Sequence, residues 1–394
     1  MTVGAWVGSG ARDEGEGEWG ASHFLEHLLF KGTEDRSARD IAEAVESVGG
    51  EMNAFTAHEQ TVFYVRVPDT ELDLAIEILG DVLWRPAFRP DDIETERQVI
   101  LEEIGMRDDT PDDLVHDLFA AALFPSHPLG REVLGGEDSI RQMPRDRIAS
   151  YHSRHYQPQN TVLAAAGNLS HEGVVALLQE RFPETSEAVP ERAHTDFAPP
   201  KHVIGVPKEA EQAHVVFGMR ALAALDPDRY ALTVLNQAFG GGMSSRLFQT
   251  VREERGLAYS VYSYRAAYDD AGFLAIYAGT APERLDETLD VVQAELQRLV
   301  DDGGLPYREL DAAKGHLVGS LSMSLETSAS RMRRLGRSEL VENEVPELDE
   351  VVARVAAVGD EDIARVIDRV LRSPDRALAV VGPHDEASLA ARVA

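Results

Sequence analysis

Apolar residues along this chain recur sometimes every second position and sometimes every third or fourth, and the switches between the two periods mark out strands and helices. Thr2 to Val7 alternates and is partly β-branched, which predicts a strand, and a polar, Gly-rich loop follows from Gly8 to Gly20. Ala21 to Phe30 reads as a short helix that stops near Lys31-Gly32-Thr33. Ser37 with Asp40 has the spacing of a capping box and opens a helix through Val48, which Gly49-Gly50 closes. Met52 to Val67 is strand-like until Pro68, with Thr61, Phe63, Val65 and Val67 on one face and Val62, Tyr64 and Arg66 on the other. Helices are predicted over Glu71–Trp84, from Pro90 to near Arg107, and over Pro111–Phe124, Arg145–Tyr156 and His171–Phe182, with a buried strand at Asn160–Ala166.

The stretch 183–200 is polar and Pro-rich and reads as a linker between a domain at 1–182 and another at 201–394. Beyond it, strands are predicted at His202–Val206, His214–Met219, Tyr259–Tyr264, Gly272–Ala278 and Ala377–Val381. Helices are predicted at Asp228–Phe239 and Ser244–Glu254 and dominate the stretch up to Leu371. Gly240-Gly241-Gly242 lacks a following Lys-Ser/Thr and reads as a tight turn, not a phosphate loop. Three pairs of segments resemble one another at nearly one offset: those starting at Asn160 and Asp375, at Thr70 and Glu283, and at Pro90 and Pro306. Such a repeat argues for an internal duplication, and hence an α+β fold of two homologous domains, each a mainly antiparallel sheet packed on helices.

Composition narrows the function. The chain has 394 residues, a formal net charge of −31 and no cysteine. It therefore has no disulfide and no thiolate ligand or nucleophile, so any metal must be held by His and carboxylate. The acidic balance excludes a phosphate-binding surface and hence nucleic acid as a partner, and would favour basic peptides. No apolar run is long enough to span a membrane and the start has no basic n-region, so the expected location is cytoplasmic.

The candidate chemistry sits in the helix at Ala21–Phe30. His23 and His27 are four apart and share one helical face, and Glu26 lies beside His27. This is H-x-x-E-H, the inverse of a zinc-protease pattern. Two histidines on an apolar helix can equally be ordinary core or surface residues, so the reading depends on a third ligand. The helix from Pro90 supplies candidates. With Ile93, Val99, Ile100 and Ile104 marking its buried side, helical phase puts Glu96 and Glu103 within the apolar arc and Glu102 outside it. A buried carboxylate must coordinate or be paired. Glu103 then reads as third ligand and Glu96 as acceptor from a ligand histidine; the alternative is that both pair with Arg97, Arg107 or another helix. Three protein ligands would leave one position open for a water, from which Glu26 could take a proton.

The stretches GASHFLEHLLFKGT, VESVGGEMNAFTAHEQTVFYV, ERQVILEE, HPLGREVLG, YQPQNTVLAAAGNL and GGGMSSRLFQTVREERGLAYSVYSY are similar to the pitrilysin/insulin-degrading-enzyme family of inverzincins, most closely its mitochondrial-processing-peptidase-like branch. The resemblance implies one Zn²⁺ per chain on His23, His27 and Glu103, with Glu26 as base and Glu96 behind a ligand. It implies that Asn53, Ala54, Phe55 and Thr56 pair with a bound peptide as an added strand, and that Arg252 and Tyr259 bind substrate carbonyls. It also implies a homodimer around a closed chamber, with Arg252 and Tyr259 serving the partner's zinc, and cleavage of short or unfolded peptides. The same family includes non-catalytic partner subunits, which generally carry degraded motifs, and an enzyme whose partner supplies the Arg/Tyr pair is a third reading. Members usually show a further strand ahead of Thr2–Val7, leaving here either a start assigned too late or a first sheet short of one strand.

Overall fold

The computed structural model describes residues 1–182, 187–384 and 386–390. In the first half of the chain the strands are β1 (Thr2–Val7), β2 (Glu51–Thr56), β3 (Thr61–Arg66) and β4 (Thr161–Ala166). The helices are α1 (Ala21–Leu29), α2 (Ala38–Glu46), α3 (Leu72–Trp84), α4 (Pro90–Asp109), α5 (Pro111–Leu123), α6 (Glu137–Gln142), α7 (Arg145–His155) and α8 (His171–Arg181). The second half adds β5 (Val203–Pro207), β6 (Ala213–Ala221), α9 (Arg229–Gly240), β7 (Ala258–Ala267), β8 (Gly272–Thr280), α10 (Leu285–Asp302), α11 (Tyr307–Ser324), α12 (Ser328–Glu342), α13 (Leu348–Ala357), α14 (Asp360–Val366) and β9 (Arg376–Gly382). Among the described residues no helix is long and apolar enough to cross a membrane.

The sheets repeat one plan. The first runs β2-β3-β1-β4 and is antiparallel throughout, and the second runs β7-β8-β6-β9 in the corresponding places, with β5 added parallel to β9. This is the duplicated α+β architecture that the repeated segments predict. The first sheet has four strands and the second five.

Compact units are not continuous in sequence. Unit 1 comprises Met1–Met106, Arg131–Ala193 and Ser324–Val345, and unit 2 comprises Arg107–Gly130, His194–Met323 and Pro346–Ala394. The units thus depart from spans of 1–182 and 201–394 by one helix each way. The reason is burial. In unit 1, one sheet face carries Val3, Ala5, Phe63 and Val65 against Phe24, Leu25 and Leu28 of α1 and Ile76 and Leu79 of α3. The opposite face, with Trp6, Val62, Ala164 and Ala166, is closed by Met332 of α12. In unit 2, Val215, Phe217, Leu274 and Ile276 face α9, α10 and α14, while Val216, Phe273, Ala275 and Ala379 are closed by Val115, Phe119, Ala122 and Leu123 of α5. Each sheet is therefore covered on both faces, which is why β1 and β8 are buried along their whole length.

Other differences from the sequence expectation are local. Met52–Val67 is two strands, β2 and β3, joined by a turn in which the Ala57 amide donates to the Gln60 carbonyl. The strand expected to be buried at Asn160–Ala166 is only half-buried over most of its length. The helix expected at Ser244–Glu254 is a π-helical turn over Phe248–Glu254. Of the stretch 183–200, residues 183–186 lie outside the described residues and 187–200 holds neither helix nor strand.

Candidate metal centre

The motif helix α1 starts at Gly20, whose φ of +94° places it in the left-handed region; a Cβ there would lie 2.6 Å from Ile140 Cδ1 and 3.0 Å from Gly135 Cα, so no larger residue fits. No side chain at this position can cap the helix, and Glu14 does so from six residues upstream. Its carboxylate accepts from the amides of Gly20 at 2.7 Å and Ser22 at 2.8 Å. Glu14 is wholly enclosed, and burial pushes its carboxyl up to about 8 against the opposing pull of those amides. Phe24, Leu25, Leu28 and Leu29 anchor the far side of α1, leaving His23, Glu26 and His27 half-buried on the other.

Helix α4 meets them. His23 Nε2 lies 3.7 Å and His27 Nε2 3.6 Å from Glu103 Oε2. One ligand atom from each of the three residues falls within 4.8 Å of the others, the one such group of His and carboxylate among the described residues. Ligand bonds of about 2.0–2.1 Å in a tetrahedral arrangement put donor atoms roughly 3.3–3.4 Å apart, so the three atoms are spaced to hold one divalent ion with little movement. Glu103 Oε2 is buried with no hydrogen-bond partner, as is His23 Nδ1. An orphaned carboxylate oxygen facing two imidazoles fits a cation better than it fits an apolar core. Burial, with repulsion from His27, lowers His23 to about 4, which favours the neutral imidazole that ligation requires.

Glu96 lies about two turns back along α4. Its Oε2 is 3.0 Å from His27 Nδ1 and its Oε1 is 2.6 Å from Lys31 Nζ. A donor at His27 Nδ1 leaves the Nε2 lone pair toward Glu103. The two arginines proposed as alternative partners are engaged elsewhere. Arg97 pairs with Glu94 at 3.0 Å and donates to the Met143 carbonyl, and Arg107 pairs with Asp117 at 3.0 Å. Val99, expected on the buried side, is exposed; it stands about 100° around the helix from Ile100, at the edge of the arc. Glu103 is likewise only partly covered, whereas Glu96 is buried.

Glu26 Oε2 accepts a hydrogen bond from Thr56 Oγ1 at 2.6 Å. Burial raises the Glu26 carboxyl above its ordinary value, with the Thr56 bond opposing. Thr56 ends β2, the edge strand of the first sheet. Asn53, Ala54, Phe55 and Thr56 pair inward with Tyr64, Phe63, Val62 and Thr61, and among the described residues no strand pairs with the other side of β2.

Arg252 and Tyr259 belong to unit 2. The Arg252 guanidinium is sandwiched 4.7 Å from the Phe248 ring and 4.6 Å from the Tyr259 ring. Its approach to Glu253 is only 3.9 Å, so the ion pair is a minor contact. Tyr259 is the extra residue of a bulge between Ala258 and Ser260 in β7, and is 77% exposed. A bulge re-aims one side chain out of the pleat, which accounts for a large aromatic facing solvent at a strand start. Three residues escaped the sequence reading: Glu14, Lys31 and the hydroxyl role of Thr56. Only Glu14 left a signal, a carboxylate shortly before a helix whose start offers a glycine as cap.

A model described as insulinase, peptidase family M16, matches residues 1–137, and one described as the peptidase M16 inactive domain matches residues 142–317. A protein named an uncharacterized zinc protease in Streptomyces coelicolor is 45% identical over 97% of this chain and 84% of its own length. One so named in Mycobacterium tuberculosis is 46% identical over 97% and 88%, and one in Bacillus subtilis is 39% identical over 97% and 93%. A protease from Helicobacter pylori superposes with a TM-score of 0.88 at 24% identity, over 96% of this chain and 94% of that one. A structure titled as the peptidase M16 inactive domain from Pseudomonas fluorescens gives 0.89 at 22%, over 97% and 93%. These two share the fold. With both family models matching in tandem and relatives this similar along nearly the whole chain, the protein belongs to the insulinase family, peptidase family M16, in its short bacterial form.

Proposed function

We propose that this chain is a zinc-dependent metalloendopeptidase acting on short or unfolded peptides. The observation that carries the reading is the convergence of His23 Nε2, His27 Nε2 and Glu103 Oε2 beside Glu26; the names given to the relatives agree with it. One zinc per chain would sit on those three atoms and supply Lewis acidity toward a water and a peptide carbonyl. Glu96 holds the His27 tautomer, and Lys31 balances the charge of Glu96. Glu26 takes the proton of the attacking water and hands it to the departing amine. The open edge of β2 at Asn53–Thr56 pairs with the peptide backbone, giving loose sequence preference. Arg252 and Tyr259 donate to substrate carbonyl oxygens as negative charge develops. The net charge of −31 favours basic peptides.

Glu26→Gln is expected to abolish hydrolysis of a generic peptide while zinc content, read by elemental analysis, stays at one per chain. Hydrolysis surviving that change would remove the proposed base. The same reading includes a homodimer in which Arg252 and Tyr259 of one chain serve the zinc of the other. An equimolar mixture of E26A and R252A chains should then regain part of the activity that each lacks, and a mixture that stays inactive would sink the sharing.

A further inference from the structure

We infer that Thr56 is a positioning residue for Glu26: its hydroxyl fixes one carboxylate oxygen of the base so that the other is left for water. The inference rests on the peptidase reading above. It starts from the 2.6 Å bond from Thr56 Oγ1 to Glu26 Oε2, which outweighs the weaker contribution of the Thr56 backbone to the same carboxyl. A glutamate carboxylate turns about three side-chain torsions and has about four lone-pair sites. With one oxygen held, its plane is restricted and the remaining oxygen has a defined direction, which a proton-transfer geometry of about 2.6–3.2 Å requires.

An orienting group must be stiffer than the group it orients, and Thr56 meets that condition. It is the last residue of β2 and is registered opposite Thr61 in β3. Thr61 Oγ1 donates to the Ser9 carbonyl at 3.0 Å. The hairpin turn that follows is pinned at its first two carbonyls, since Ala57 O accepts from the Ala11 amide at 3.1 Å and His58 O from the Arg12 amide at 2.7 Å. Arg192 adds a bond to the Glu59 carbonyl at 3.0 Å while pairing with Asp13. The Thr56 hydroxyl is thus presented by an anchored hairpin end. The same strand offers the open edge, so a peptide that pairs with β2 is registered against the element that aims the base. This gives β2 a second task besides reading backbone.

Thr56→Val keeps the β-branched shape and the strand, and removes only the donor. Zinc-loaded wild type, T56V, T56S and E26Q are compared on one generic peptide, with zinc content and thermal midpoint recorded for each. We expect kcat of T56V to fall about tenfold or more with KM within about twofold, zinc retained at one per chain, and T56S within about threefold of wild type. If T56V folds poorly, Thr56→Ala carries the same comparison. A zinc-loaded T56V with wild-type kcat, or a T56S as slow as T56V, would overturn the positioning role. No hydrolysis by zinc-loaded wild type would overturn the peptidase reading instead, and hydrolysis undiminished in E26Q would remove Glu26 as its base, so these failures are told apart from that of the positioning role.

Discussion

The two halves of this chain share one sheet plan and differ in what their first helix carries. In the first half α1 brings His23, Glu26 and His27 to Glu103 of α4. In the second half the helix at the matching place, α9, reaches Gln237 and Gly240 with no imidazole or carboxylate in that stretch. Unit 2 instead presents an arginine held between two aromatic rings and a tyrosine turned outward by a bulge. The scaffold that positions a helix on a sheet is therefore separable from the chemistry, which depends on a few side chains at one helix end. Duplication has left one copy able to gather metal ligands and the other able to offer hydrogen-bond donors.

The contrast is tested most severely by substitution at matching places. His23→Ala should strip the zinc, taking elemental content from one per chain to near zero, while Gln237→Ala at the matching place in α9 should leave it unchanged. Zinc loss from both would mean that the second half also holds metal.

A smaller effect probes the shared plan. Gly4 in β1 and Gly218 in β6 are 214 positions apart (218 − 4), in step with the repeat. Each makes room for the covering helix: a Cβ on Gly4 would lie 2.5 Å from Met332 Sδ, and one on Gly218 would lie 2.7 Å from Phe119 Cζ and 2.5 Å from the Leu274 carbonyl oxygen. Met332 can swing aside, whereas a backbone oxygen cannot. Gly218→Ala should therefore destabilise by roughly 1–3 kcal/mol, and Gly4→Ala by less, in denaturant titrations. Equal costs would show that the two helix seats are alike in rigidity.

The smallest effect concerns Glu14, which caps α1 with its side chain, whereas Asp228 at the cap of α9 makes no side-chain cap bond and pairs with Arg365 and Arg369. Its carboxyl is raised from 4.5 to about 8, so between those values the folded chain holds a proton that the unfolded chain releases. That contribution to stability is complete below pH 4.5 and is lost as pH climbs through 8. With chelator present, the thermal midpoint of wild type should fall more steeply from pH 5 to 8 than that of Glu14→Gln. Parallel slopes would show that Glu14 stays ionised throughout.

Much of this was legible in the sequence because it is local or periodic. The H-x-x-E-H spacing named α1, phase along α4 separated Glu96 and Glu103 from Glu102, and the repeated segments foretold the doubled sheet. What escaped is decided by partners far away in sequence. Nothing within Pro111–Leu123 says which sheet its apolar stripe will cover, since Val115 and Phe119 would suit either. A π turn differs from an α turn by one slipped hydrogen bond, which leaves no mark on spacing at Phe248–Glu254. Lys31 and Thr56 look like loop and strand residues until Glu96 and Glu26 are brought beside them.

The crossed helices have a consequence for how such a chain can change over time. The backbone passes between the units after residues 106, 130, 193, 323 and 345. Cutting at 193 and keeping the front piece would discard α12 and leave Trp6, Val62, Ala164 and Ala166 bare. Keeping the back piece would lose α5 and uncover Phe273 and Ala379. Neither fragment is a module that recombination could pass on alone. Each half therefore depends on the other's stretch of sequence to close its own sheet.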